Sequence, residues 1–130
     1  MSYRVIRPEE ADWEERPTEQ GAVRRVLDVT AAGALERSRA RIWRYPPRSR
    51  GRRHREGVQE EVFVVLDGTL TMLLGDPPER VDLAPQSVVA VAPGTPLQVR
   101  NESEAEVVVL AYGAPPVAGR AEYLEDVELP

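Results

Sequence analysis

From Glu61 onward, apolar residues come in short runs broken by turn residues, in the order "EVFVVLDGTLTMLLGDPPERVDLAPQSVVAVAPGTPLQVRNESEAEVVVLAYGAPP". The breaks fall at Asp67-Gly68, at Gly75-Asp76-Pro77-Pro78, at Ala84-Pro85, at Pro93-Gly94 and between Asn101 and Glu104. Gly supplies backbone angles that other residues avoid and Pro removes a ladder donor, so these are strand ends. The rhythm predicts a succession of antiparallel strands forming a sandwich or barrel. Upstream, "SRARIWRY" alternates, with Ile42 on one face and Arg41, Trp43 and Tyr45 on the other, before Pro46-Pro47 stops the strand. Weaker strand signals lie at Tyr3 to Ile6 and Ala22 to Val29, joined by an acidic, Pro-containing link, and "TAAGALE" at Thr30 to Glu36 reads as a loop or helical turn.

Two strands are apolar on both faces. Val62, Val64 and Leu66 oppose Phe63 and Val65, while Val107, Val109 and Ala111 oppose Val108, Leu110 and Tyr112. One face fills the interior and the other also needs cover, which leads us to expect a homodimer joined through such a face. The alternative is that the terminal segments do the covering.

Composition narrows the class. With 130 residues, 42% of them hydrophobic, the chain has the length of one domain with a real core. We read a single all-β domain over 1–130: N-terminal strands and arm at 1–36, a barrel at 37–116, and a C-terminal arm or short helix at 117–130. The absence of cysteine removes disulfides, thiolate metal sites and a cysteine nucleophile. "MSYRVIRPEE" lacks the apolar stretch of a signal peptide and no run suffices to cross a bilayer, so the expectation is a cytoplasmic protein without a membrane partner. A net charge of −5 argues against nucleic acid as a partner. The basic residues are nevertheless uneven, with Arg37, Arg39, Arg41, Arg44, Arg48, Arg50, Arg52, Arg53 and Arg55 in one stretch. They are either an anion site, since guanidinium grips carboxylate and phosphate oxygens in pairs, or a solvated face balanced by the acidic ends.

The stretch "GRRHREGVQEEVFVVLDG" holds the only histidine, His54, with Glu56 and Glu61 after it and Gly68 closing the strand. Later, Gly94 and Asn101 stand in "VAPGTPLQVRNES". In this arrangement the chain resembles the cupin superfamily, small antiparallel jelly-roll barrels marked by G-x5-H-x-H-x4-E-x6-G and G-x5-P-x-G-x2-H-x3-N. His54, Glu61, Gly68, Gly94 and Asn101 keep those intervals, whereas Arg48, Glu56, Gln86, Ala92 and Leu97 replace the other motif residues. The resemblance covers about Arg39 to Pro116. It implies that positions 54, 56, 61 and 97 converge inside the barrel, where such proteins hold iron, manganese, nickel or zinc.

Here those positions offer one imidazole, two carboxylates and a leucine, so the two-histidine, one-carboxylate triad of iron oxygenases cannot form from this chain alone. Two readings of the site stay open, beside a third in which the barrel is filled by its own side chains and the protein acts through its dimer or termini. In one, the barrel binds a small anionic organic ligand without a tightly held metal. In the other, His54, Glu56 and Glu61, completed by water, Gln59 or Gln98, hold a divalent ion such as manganese and the protein is a metal-dependent dioxygenase, decarboxylase or isomerase. Without a cation, two inward carboxylates repel, and relief comes from a raised pKa, an arginine partner or solvent. The expected pocket residues are Trp43, Tyr45, His54, Glu56, Glu61, Phe63, Leu97 and Tyr112, with His54 as pocket wall or general base and the aromatic rings as its floor or as core. If Glu56 and Leu97 are the substitutions that disable the four-ligand cage, the double variant Glu56→His, Leu97→His gains nickel or zinc binding that the parent lacks, measured by metal titration. A folded double variant without metal uptake means that these positions do not converge.

Overall fold

The computed structural model describes residues 2–116 and 121–129. In chain order the elements are β1 (Glu14–Pro17), β2 (Val23–Asp28), a five-residue helix α1 (Val29–Gly33), β3 (Arg39–Tyr45), β4 (Ser49–Arg50), β5 (His54–Arg55), β6 (Glu60–Asp67), β7 (Leu70–Leu74), β8 (Glu79–Leu83), β9 (Val88–Val91), β10 (Leu97–Asn101), β11 (Val107–Ala114) and β12 (Glu122–Tyr123). They form two antiparallel sheets, one ordered β1-β2-β3-β11-β6-β9 and the other β12-β5-β10-β7-β8, with β4 also on β10. Tyr45, Phe63, Val65, Val107 and Val109 of the first sheet pack against Leu70, Met72, Leu97 and Val99 of the second. The chain is thus an all-β jelly roll whose inner faces share one core.

Period-two alternation fixes what each strand turns inward. Across the first sheet, Arg39, Gly113, Glu61 and Val91 lie in one row, then Arg41, Ala111, Phe63 and Val89. Trp43, Val109 and Val65 follow in the next row, with Tyr45 and Val107 beyond them. The interior therefore passes from charged at one end to aromatic and aliphatic at the other. Opposite, on the second sheet, Leu97 pairs with His54, which pairs in turn with Tyr123.

Two expectations for the N-terminal region change. Tyr3 to Ile6 is not a strand: Tyr3 and Val5 are exposed and find no sheet edge. The acidic link instead supplies β1, which pairs with β2 from Glu14↔Val26 to Pro17↔Val23. All four β1 residues are exposed, so no apolar alternation announced this edge strand. The helical turn does form, with the Asp28 carboxylate accepting from the Ala31 amide.

At the other end, the C-terminal arm is an extended strap rather than a helix over its described part, residues 121–129. Leu124 N donates to Arg53 O, Gln98 Nε2 donates to Asp126 Oδ1 and Arg100 Nη2 donates to Val127 O, which covers the outer face of the second sheet. Residues 117–120 and 130 of the expected arm lie outside the described residues. Leu66, Val88 and Tyr112 stay exposed on the outer face of the first sheet, the surface on which the expected homodimer would form. Among the described residues no helix is long and apolar enough to cross a membrane.

Turn chemistry locks the barrel. Gly68 has φ +79, and a Cβ there would lie 2.8 Å from Glu106 O, so both backbone angle and space demand glycine. Asn101 is fully buried, donating to the carbonyls of Tyr45, Pro46 and Ala105 and accepting from the Ser103 amide and hydroxyl. Its role is to tie the end of β3 to the turn that follows β10. Asn101→Ala leaves those carbonyls without their donor and is expected to cost roughly 2–3 kcal/mol in chemical denaturation. A loss below about 0.5 kcal/mol would contradict this role.

Candidate functional site

His54, Glu56 and Glu61 meet inside the barrel, each offering a donor atom within 4.8 Å of the others. The three are positioned to hold an ion. The spacing works because Glu56 directly follows the short strand β5, two residues on from His54, and Glu61 comes from β6 of the first sheet. His54 Nδ1 lies 3.0 Å from Arg52 O; a carbonyl only accepts, so Nδ1 carries a proton, and in the neutral ring Nε2 holds the lone pair. Nε2 stands 3.8 Å from Glu56 Oε1, beyond hydrogen-bond reach.

The two carboxylates are only 8% exposed each, so their repulsion must be relieved locally. Arg39 supplies part of the relief: its Nη2 donates to Glu56 Oε1 at 3.2 Å and to Gln59 Oε1 at 2.9 Å. Gln59 in turn donates through Nε2 to Pro115 O. This packing depends on Gly113, where a Cβ would lie 2.5 Å from Gln59 Cδ. The missing side chain at 113 lets the amide in.

Protonation supplies the rest. Burial first, and the charge of Glu56 second, push the Glu61 carboxyl up to about 7, with Arg39 opposing. Glu61 Oε1 is buried without a hydrogen-bond partner among the described residues. Such an atom is costly unless a proton, ligand or cation serves it.

Leu97 is 1% exposed and faces inward beside His54, in the place where the resemblance puts a fourth ligand. It belongs to the core under the site and does not line the cavity, which corrects its place among the pocket residues. Gln98 is also corrected as an ion donor. Adjacent to Leu97, it points the other way and spends its amide on Gly51 O, Asp126 and Arg100. Gln59 is committed to Arg39 and Pro115, so neither glutamine completes a coordination shell.

The site opens into a cavity of about 780 Å³. Trp43, Tyr45 and Phe63 line it, with ring centroids of the first two 6.1 Å apart. Tyr112 also lines it, although it is 42% exposed and pairs in register with Ala40 and Val62 rather than with the inward row. Tyr123 closes the opposite side of the mouth, its ring 6.3 Å from that of His54 and under the Arg52 guanidinium at 3.8 Å.

The sequence-derived pocket set omitted Arg24, Arg39 and Arg41, all of which line the cavity. Arg24 lies over Trp43 at 4.7 Å and donates weakly to the Tyr45 hydroxyl at 3.4 Å. Neither Arg24 nor Arg41 has a carboxylate within 4.0 Å among the described residues. Burial and the nearby Arg39 lower the Arg41 pKa. Arg41 shares strand parity with Trp43 and Tyr45, which was the available signal.

Residues 41–113 match the family described as Cupin domain. No curated relative matches the chain. Among solved structures, the polyketide cyclase RemF from Streptomyces resistomycificus is similar with a TM-score of 0.77 and 15% identity, over 96% of this chain and 87% of that one. A predicted oxalate decarboxylase from Thermotoga maritima gives 0.74 and 16%, over 86% and 99%. A sugar phosphate isomerase of the cupin superfamily from Silicibacter pomeroyi gives 0.72 and 19%, over 85% and 75%. Identities this low establish a shared fold.

The Glu61 shift carries a definite sign. Its folded pKa of about 7 exceeds the ordinary 4.5, so the stability it contributes is fully present below about pH 4.5 and is lost as pH rises through about 7. At 1.36 kcal/mol per pKa unit this is worth roughly 3 kcal/mol across the window. Thermal unfolding from pH 4 to 8 should therefore show a slope that Glu61→Gln, which stays neutral, flattens. Parallel profiles for the two proteins would show that Glu61 ionises as an ordinary carboxyl.

Proposed function

We propose that this chain, which belongs to the cupin family, binds a small anionic organic molecule in its barrel cavity, with Arg41 and Arg24 facing the anionic group. The observation that supports this reading best is the pair of cavity arginines without carboxylate partners, set beside two acids of which one is paired with Arg39 and the other holds a proton below about pH 7. Desolvating a guanidinium is costly unless an anion or hydrogen-bond acceptors compensate, and a carboxylate or phosphate fits its paired donors. Trp43, Tyr45 and Phe63 give the carbon skeleton of the ligand an aromatic wall. Below about pH 7 the protonated Glu61 carboxyl donates, and Nε2 of a neutral His54 ring accepts, so the far end of the ligand meets one group of each kind.

A second reading keeps its own observation, the orphaned Glu61 Oε1 beside two further donors. His54 Nε2 and one oxygen from each glutamate would hold an oxygen-preferring divalent ion such as manganese, which supplies Lewis-acid polarisation of a bound substrate. Against this, Arg39 already serves as counter-charge to Glu56, and Leu97 cannot supply a fourth donor. The isomerase, decarboxylase and cyclase among the similar structures carry their activities in their own sites, and fold alone does not transfer them.

A thermal-shift screen of small carboxylates and phosphorylated sugars tests the first reading. At least one compound should raise the melting temperature by several degrees, and Arg41→Gln should remove about 70% or more of that shift, as expected for a charged hydrogen-bond partner. Hits that survive Arg41→Gln and Trp43→Ala unchanged would refute it. Metal analysis of the purified protein decides the second reading: near-stoichiometric manganese, iron, nickel or zinc that is lost in Glu61→Gln would establish it over the first.

A further inference from the structure

The two sheet paths end in four edge strands, β1 and β9 on the first and β12 and β8 on the second. An edge strand presents a row of unpaired N–H and C=O groups, and three of these four carry the usual protection against pairing with another chain. β1 reads Glu-Glu-Arg-Pro, β8 carries Glu79, Arg80 and Asp82, and β12 is only two residues long. β9, Val88–Val91, has neither a charge nor a proline. The chain around it is neutral as well: no charged residue occurs from Leu83 to Val99, although 30% of the whole sequence is charged.

Ladder parity shows which backbone groups of β9 are free. Val65 N donates to Ser87 O and Gln86 N donates to Val65 O, so Val65 turns its backbone groups toward the β9 edge. Alternation gives Phe63 and Glu61 the same direction, and their partners Val89 and Val91 face back into the sheet. Val88 and Ala90, between and before them, therefore point N–H and C=O off the edge. The far side of the sheet agrees. Ala40 exchanges both backbone hydrogen bonds with the Thr30 hydroxyl, away from β11, which sets the same parity through Arg41↔Ala111 and Tyr112↔Val62. No turn or loop hydrogen bond among the described residues reaches the four groups of Val88 and Ala90. Both residues are exposed, Val88 by 60%.

We propose that β9 is the pairing edge for a second copy of this chain, the two strands running antiparallel about a two-fold axis so that the first sheets of both copies become one. The register closes on itself. Val88 stands opposite the partner's Ala90 and Ala90 opposite the partner's Val88, each pair exchanging two N–H···O bonds, with the two Val89 residues facing each other between them. Self-complementarity and charge argue for a second copy as the occupant: the side chains at 88 and 90 are apolar and share a face, so they touch across the new pair, and two chains of net charge −5 meet where neither carries a charge. A contact between two four-residue strands is small beside the roughly 800 Å² per partner of a stable interface, so this dimer is a reversible one. It differs from a dimer through the apolar outer face, where Leu66 and Tyr112 lie one and two strands in from the edge. It is also independent of what the barrel cavity binds.

Sedimentation velocity of the full chain over about a hundredfold range of concentration should show a reversible shift from monomer to dimer. Ala90→Pro deletes one donor in each copy, two of the four interchain bonds, and the monomer tolerates it because that N–H points to solvent. It should weaken dimerisation at least about tenfold, and so should Val88→Pro. Leu66→Lys, on the outer face, should leave dimerisation unchanged. Thermal unfolding confirms that each variant is folded. Should both proline variants misfold, hydrogen exchange in the parent carries the test: protection of the Val88 and Ala90 amides should rise with protein concentration. A chain that stays monomeric throughout the range overturns the proposal, as does a dimer indifferent to both prolines, or amide protection at 88 and 90 that ignores concentration. Loss of the dimer in Leu66→Lys alone places the contact on the outer face and overturns it too.

Discussion

Two buried carboxylates close to one another, with a single guanidinium, that of Arg39, paired to one of them, set the terms for this barrel. Glu56 and Glu61 cannot both be charged at that depth without a counter-charge. Arg39 neutralises the first, and a proton neutralises the second below about pH 7. Arg39 reaches Glu56 from the same row that carries Gly113 and Glu61, and Gln59 fills the space that Gly113 leaves free, bracing the guanidinium. A short polar network thus stands where a cation would otherwise concentrate positive charge. With the acids satisfied in this way, the positive groups further along the wall, Arg41 and Arg24, are left to face the cavity. The anionic ligand that we propose is chosen on that charge distribution.

Much of the fold could be read from the chain. Turn dipeptides and short apolar runs located β6 to β11, and alternation in "SRARIWRY" put Arg41, Trp43 and Tyr45 on one face, where they are found. The convergence of His54, Glu56 and Glu61 was legible through the resemblance to the cupin motif, whose intervals His54 and Glu61 keep. Strand parity, applied to Leu97, would have excluded Gln98 as an ion donor, since adjacent residues on a strand point to opposite faces.

What stayed hidden depends on tertiary pairing. Nothing local links Arg39 to Glu56 and Gln59, Gln98 to Asp126, or Arg100 to Val127; strand order and the path of the strap create these contacts. β1 escaped because an exposed edge strand needs no apolar face, only a partner for its backbone. Tyr3 and Val5 have the side chains of a strand but no edge to join. Leu97 was assigned to the right face and the wrong depth, because periodicity gives direction and not distance from the cavity.

Similar folds under proteins described as an isomerase, a decarboxylase and a cyclase show how little the barrel itself decides. The decision rests with the few inward side chains, and above all with the ionisation of Glu61. Carboxyl-detected carbon NMR of the metal-free protein follows that group directly through a pH titration. A midpoint near 7 for Glu61, falling toward the ordinary range in Glu56→Gln, is the predicted result. A midpoint near 4.5 in the parent would contradict the account, for it would mean that the two acids carry full charge side by side without the proton that the network requires.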